Sequence, residues 1–207
     1  MRLVGMLDSP YVRRVAISLE LLDIPFEHEA VSVFSTFEQF QRVNPVVKAP
    51  TLICDDGEAL MDSSLILQFA ENFAAPKRSL WSSDPLELQH ELRAVGLALA
   101  ACEKSVQIIY EQNLRPKEMH YKPWVERVTG QLLAAYSGLE HEVQHRQAAF
   151  LIPRNQASIS AAVAWQFTQS MLASVVAASN HPGLVRLSEQ LEQTAEFRKY
   201  PPIGPGV

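Results

Sequence analysis

The sequence predicts an α/β unit of element order βαβαββα followed by an all-helical part. Three observations predict it. Short apolar or alternating runs recur between helical patterns as far as Phe73, a stretch of linker composition follows, and from Leu86 onward no strand pattern is found. Alternation of strand and helix is how a chain builds an open mixed sheet with helices on both faces, whereas unbroken helical periodicity builds a bundle.

Each element follows from its residues. Leu3 to Leu7 is an apolar run, a buried strand. Asp8-Ser9-Pro10 supplies a helix start, with capping side chains before a first-turn proline. Val12, Val15, Ala16, Leu19 and Leu22 then recur at helical spacing until Asp23-Ile24-Pro25 ends the helix. Phe26 to Val31 alternates as a second strand, and Thr36 to Val43 is a short helix closed by Asn44-Pro45. Thr51 to Asp55 is a strand, Asp55-Asp56-Gly57 a hairpin turn, and Ala59 to Met61 its partner. Asp62-Ser63-Ser64 caps a helix with Leu65, Ile66, Phe69, Ala70 and Phe73 expected on one face. Residues 74 to 85 (AAPKRSLWSSDP) hold two prolines and no clear period. The division is therefore 1–76, a linker 77–85, and a helical part 86–207. Helical patterns there cover 86–113, 122–147, 156–180 and 184–199, and the most apolar, 156–180, is expected at the centre.

Composition removes several functions. Of 207 residues, 47% are hydrophobic and 20% charged, an ordinary globular balance. With a net charge of −5 and no basic run longer than two residues, nothing marks a nucleic-acid or membrane surface. The start, MRLVGMLDSP, is broken too early for a signal peptide, and polar residues interrupt the apolar 156–180 pattern, so no span is expected. Cys54 and Cys102 match no metal or redox spacing, and two reduced thiols fit a cytoplasmic protein.

The chemistry starts at the junction after the first strand. A helix N-terminus leaves backbone N–H groups without partners and carries partial positive charge, so an anion is favoured there. Ser9 stands at that point, either as a plain cap or as a hydrogen-bond donor to a bound anion. Pro50, in KAPTL, opens the third strand without costing a ladder bond. Asp62 and Ser63 occupy a second strand-to-helix junction, where they can cap the helix or hold a ligand's amine and carboxylate. Lys48 is a surface lysine or a partner for a second carboxylate.

S-P-Y-V at 9–12 is the C-P-Y-C motif of glutaredoxins with both cysteines gone, and the element order resembles the thioredoxin fold. Taken together, S-P-Y-V-R-R-V, N-P-V-V-K-A-P-T-L, M-D-S-S-L-I-L-Q-F and H-P-G-L-V-R-L are similar in order and spacing to a cytosolic glutathione transferase, a bacterial member. The resemblance spans essentially the whole chain. It implies a thioredoxin-like domain, a helical domain, a homodimer, and glutathione as co-substrate without a metal. By position, it implies that Ser63 binds the γ-glutamyl carboxylate and Asp62 the amine. Ala49 pairs its backbone with the cysteinyl part beside a cis-Pro50, and Lys48 contacts the glycyl carboxylate. Ser9 is then the catalytic hydroxyl that stabilises the thiolate, and the electrophile sits in a cleft with Tyr11, Tyr110 and Trp165 as candidate walls, core packing being the alternative for Trp165. The family's capping box is incomplete, because Ala161 stands three residues after Ser158 where an Asp is usual; Ser160 or a neighbour compensates or the helix start is weaker. Thiol transfer to a small electrophile is the expected reaction. The alternatives are a glutathione-dependent reductase, which Ser9 in place of cysteine disfavours, and a binding module without activity.

Overall fold

The strand patterns of the first third form one mixed sheet in the spatial order β2-β1-β3-β4. The structure is a computed structural model that describes residues 1–74, 78–151 and 155–204. β1 (Arg2–Val4) runs parallel to β2 (Glu27–Glu29) and antiparallel to β3 (Thr51–Ile53), and β3 pairs antiparallel with β4 (Ala59–Met61). The parallel pair needs a crossover, which α1 (Pro10–Leu21) supplies. α2 (Phe37–Val43) and α3 (Ser63–Ala70) complete the βαβαββα order of a thioredoxin-like unit. β1 is shorter than its sequence pattern because Gly5, at φ +142°, turns the chain out of line after Val4.

Burial explains the arrangement. Leu3, Val12, Val15, Ala16, Leu19, Leu52 and Ile66 are fully buried, where α1 packs on β1 and α3. Each large apolar side chain so buried contributes roughly 1.5–3 kcal/mol before entropy is counted. On the other side of the sheet Val4 joins Val31 and Phe40 in a second cluster, against which Val47 and Ala49 pack. The expected apolar face of α3 is corrected: Ser63, Ile66, Leu67 and Ala70 form its buried stripe at helical spacing, while Leu65 and Phe73 are more than half exposed.

The helical part comprises α4 (Pro85–Leu114), α5 (Lys122–His145), α6 (Gln147–Leu151), α7 (Gln156–Leu172) and α8 (Pro182–Glu192), with α9 (Ala195–Lys199) beyond. α7 packs against α4 and α8, and every residue from Gln156 to Trp165 is buried, as its apolar character requires. Three sequence patterns prove to be more than one element. The 122–147 pattern breaks at Arg146, whose backbone leaves the helical region (φ −131°). The 156–180 pattern stops at Leu172, because the N–H groups of Val175 and Val176 both turn back to the Leu172 carbonyl (2.9 and 3.0 Å). The 184–199 pattern starts early at Pro182, suited to a first helical turn, and is interrupted at the extended Thr194.

The start of α7 also corrects an expectation. Its N-cap is Asn155 rather than Ser158, and Ser158 is the third helical residue. Asn155 Oδ1 accepts from Ser158 N at 2.9 Å, and Ser158 Oγ accepts from Asn155 N at 3.1 Å. The capping box is thus complete three residues earlier, and Ala161 costs it nothing.

By contacts the chain divides into two units, Met1–Leu80 with Gln193–Gly206, and Trp81–Glu192. The boundary expected at 76 and 77 and the break at Ile152-Pro153 lie outside the described residues. Unlike the sequence division, the last segment groups with the sheet. Arg13, almost fully buried in α1, donates from Nε to the Tyr200 carbonyl at 2.8 Å and stacks its guanidinium over Phe197. The Tyr200 ring stacks on Phe26, and the Gly204 backbone lies against the Asp8 carboxylate. Among the described residues no helix is long and apolar enough to cross a membrane.

Candidate functional site

Ser9 ends the β1–α1 turn and is the N-cap of α1, half-buried, in extended geometry (φ −70°, ψ 122°). Its carbonyl opens the helix by accepting from Arg13 N at 3.0 Å. Its hydroxyl makes no capping bond. That differs from Asp62, Asp84 and Asn155, which spend side-chain oxygens on the first N–H groups of α3, α4 and α7. An oxygen with a donor hydrogen therefore sits at the positive end of a twelve-residue helix without being committed to it.

The loop from Asn44 to Thr51 lies beside this turn. A Cβ added to Gly5 would come within 2.6 Å of Val12 Cγ2 and 3.2 Å of Ala49 Cβ, so the β1–α1 turn, α1 and the loop meet there. Ala49 is joined to Pro50 by a cis peptide bond. Polar braces fix the loop from within. Buried Asn44 donates from Nδ2 to Thr51 Oγ1 at 2.9 Å, and Thr51 Oγ1 donates to the Lys48 carbonyl at 2.8 Å. Val47 holds φ +53°, a region a β-branched residue rarely adopts.

The second junction shows the same backbone signature. Asp62 sits at φ 76° and caps α3, its Oδ1 accepting from Ser64 N at 2.9 Å. Its Oδ2 is 3.8 Å from Lys48 Nζ, which brings the two candidate residues together across the sheet edge. Both side chains are about half exposed (51% and 44%), so the pair contributes on the order of 0–1 kcal/mol. Ser63, by contrast, is buried, and Arg14 Nη1 from α1 donates to its hydroxyl at 3.3 Å. Strained backbone costs about 1–3 kcal/mol per residue and persists where the surroundings impose it. Here Val47 and Asp62 carry it on the two loops that flank Lys48, Ala49 and Ser63.

A family model described as glutathione S-transferase, N-terminal domain, matches residues 3–78, which contain every one of these groups. Residues 3–78 thus match the N-terminal domain of the glutathione S-transferase family. An uncharacterized GST-like protein, YibF of Escherichia coli (strain K12), is 30% identical over 113 residues, 54% of this chain. The matched stretch spans about half, 55%, of that protein's own length. A glutathione transferase family member from Pseudomonas fluorescens, solved with S-(propanoic acid)-glutathione, is 25% identical and superposes with a TM-score of 0.80 over 99% of this chain and 100% of its own. A glutathione S-transferase of Methylobacterium radiotolerans, in complex with glutathione sulfonate, shares the fold at 24% identity, with a TM-score of 0.86 over 100% and 96%.

The three aromatic candidates fare differently. Tyr11, two residues after Ser9, is half-buried. Tyr110 on α4 is 38% exposed, and burial of part of its ring pushes its hydroxyl pKa up. Trp165 is buried and meets Tyr136 edge-on at 5.4 Å, so core packing accounts for it. Among the described residues no group of three or more His, Cys, Asp or Glu side chains is placed to hold a metal ion. Asn44, Thr51 and Arg14 are the functional neighbours that sequence reasoning passed over. Asn44 was legible as the short polar residue before Pro45, a turn signal; Arg14 lay in the S-P-Y-V-R-R-V motif without an assigned task.

Proposed function

We propose that this protein is a glutathione transferase that binds glutathione along the Lys48–Pro50 loop and the Asp62–Ser63 junction and presents its sulfur, as thiolate, to the Ser9 hydroxyl. The observation that carries the proposal is the uncommitted Ser9 hydroxyl at the N-terminus of α1. A thiolate there is stabilised by the helix end and by one O–H donor, and the thiolate is the nucleophile that attacks a small electrophile. Asp62 Oδ2, free of the cap, receives the ligand's amine, Ser63 its γ-glutamyl carboxylate, the Ala49 backbone its cysteinyl part, and Lys48 its glycyl carboxylate. Serine cannot form a mixed disulfide, which favours transfer over thiol–disulfide reduction. Tyr11, two residues after Ser9, is the wall we assign to the electrophile. Cys54 and Cys102, neither in a disulfide, fit the reducing cytoplasm. Exposed Leu65 on α3 and Phe73 in the turn after it support association with a second copy of the chain.

Ser9→Ala tests the reading through two separate measurements. An ordinary N-cap serine is worth about 0.5–2 kcal/mol, but Ser9 makes no capping bond, so the melting temperature should hardly change. Conjugation of glutathione to an activated aryl chloride should fall by about a hundredfold, as when one donor to a reacting anion is removed. An unchanged rate refutes the role of Ser9, and no thermal stabilisation by millimolar glutathione refutes the site itself.

A further inference from the structure

We infer that Arg14 is a positioning residue for the γ-glutamyl carboxylate of glutathione, acting through the hydroxyl of Ser63. The inference rests on the glutathione site proposed above. Arg14 lies on α1, five residues after Ser9, with 2% of its surface exposed. Its Nη1 reaches Ser63 Oγ at 3.3 Å and Ser64 Oγ at 3.2 Å, so one guanidinium nitrogen holds both hydroxyls of the first α3 turn. A hydroxyl has one hydrogen to give and two lone pairs. Because guanidinium only donates, Ser63 Oγ must accept from it, and the serine's own hydrogen is left to point at another acceptor. At the N-terminus of α3, where Asp62 already satisfies the Ser64 and Leu65 N–H groups, the acceptor that suits this hydrogen is a carboxylate.

The charge of Arg14 works in the same direction. A cation buried this deeply is screened little, so it favours an anion arriving at the hydroxyl it touches. The same helix thus serves both ends of the ligand: its N-terminus faces the sulfur, and one turn on its guanidinium sets the hydroxyl for the carboxylate. Lysine retains the charge but lacks the rigid planar guanidinium that sets Nη1 against both Ser63 and Ser64.

The test compares two ligands in three proteins. Glutathione and γ-aminobutyryl-cysteinyl-glycine, which keeps the amine and lacks only the γ-glutamyl α-carboxylate, are titrated calorimetrically into the wild type, Arg14→Gln and Arg14→Lys, and each protein is melted alongside. Arg14→Gln should weaken glutathione by about tenfold, the scale of a charge-assisted hydrogen bond, and leave the truncated analogue within about twofold. Arg14→Lys should recover part of the loss for glutathione only. Because the lysine variant keeps a buried cation, it carries the ligand comparison if the glutamine variant does not fold. Equal weakening of both ligands in either folded variant, or weakening of neither, overturns the inference while leaving the site intact. A wild type that binds neither ligand overturns the site and the inference together.

Discussion

Gly5→Ala is the sharpest structural perturbation, because the backbone and the packing object to a side chain independently. Gly5 holds φ +142°, and its missing Cβ would meet Val12 Cγ2 at 2.6 Å and Ala49 Cβ at 3.2 Å. Forcing a residue with a Cβ into a sparsely populated backbone region costs about 1–3 kcal/mol. Overpacking against two neighbours costs about 1–3 kcal/mol more. The sum, about 4 kcal/mol, corresponds to a fall in Tm of roughly 12 °C for a chain of this size. Gly57 provides the internal control. It also has a positive φ, +91°, but nothing stands within 4 Å of its Cβ position. Gly57→Ala therefore pays for conformation alone, about 1–2 kcal/mol or roughly 4 °C. Calorimetric melts of the two variants, run together with and without glutathione, separate the effects. The Gly5 variant should melt well below the Gly57 variant and bind glutathione more weakly, since Val12 and Ala49 must move apart. Equal melting temperatures would refute the claim that turn, helix and loop are packed to contact at this point.

Acid stability reports on the clamp at the other end of α1. The Lys199 ammonium, bonded to Glu20 at 2.7 and 2.8 Å, holds the carboxyl pKa of Glu20 below its ordinary 4.5, with the Tyr200 hydroxyl adding a second bond. A depressed folded pKa means that the stabilisation is complete above the ordinary value and is lost as pH falls through the lower folded one. Glu20→Gln should therefore flatten the drop in Tm between about pH 5 and pH 3; an acid limb identical to the wild type would show that the pair contributes nothing. Association through α3 predicts a dimer in sedimentation velocity that Leu65→Ser with Phe73→Ser converts to monomer, and a monomeric wild type at micromolar concentration removes that proposal.

Much of the site was legible because it is built at element ends, where sequence signals are strongest. Ser9 before Pro10, Pro50 before Thr51, and Asp62-Ser63 before an apolar run are all cap or strand-opening signals, and all sit at such junctions in the structure. Facing was less legible. Leu65 and Phe73 fit an apolar helix face by type, yet the buried stripe is set by where the sheet lies, and Ser63 belongs to it while they do not. Helix ends in the bundle were missed where small residues continue a helical pattern, as after Leu172, because tight turns there use the same residues. Arg14 was invisible for a related reason. A basic residue in a helical pattern reads as surface, and only the approach of α3 turns it into a buried donor.

The docking of the last segment on α1 makes the sheet unit discontinuous along the chain. Arg13 is bonded to carbonyls 184 and 187 residues downstream, with the whole of Trp81–Glu192 in between. A nascent chain that has released its first 80 residues can form the sheet, but its Arg13 guanidinium has no carbonyl from Phe197 or Tyr200 to donate to. At typical synthesis rates those acceptors emerge roughly ten seconds later. The half that carries the candidate site is thus written first and finished last. A fragment cut at residue 80 should expose Arg13 and the face of α1 that Phe197 and Tyr200 cover, so the part that carries the site is not an excisable module.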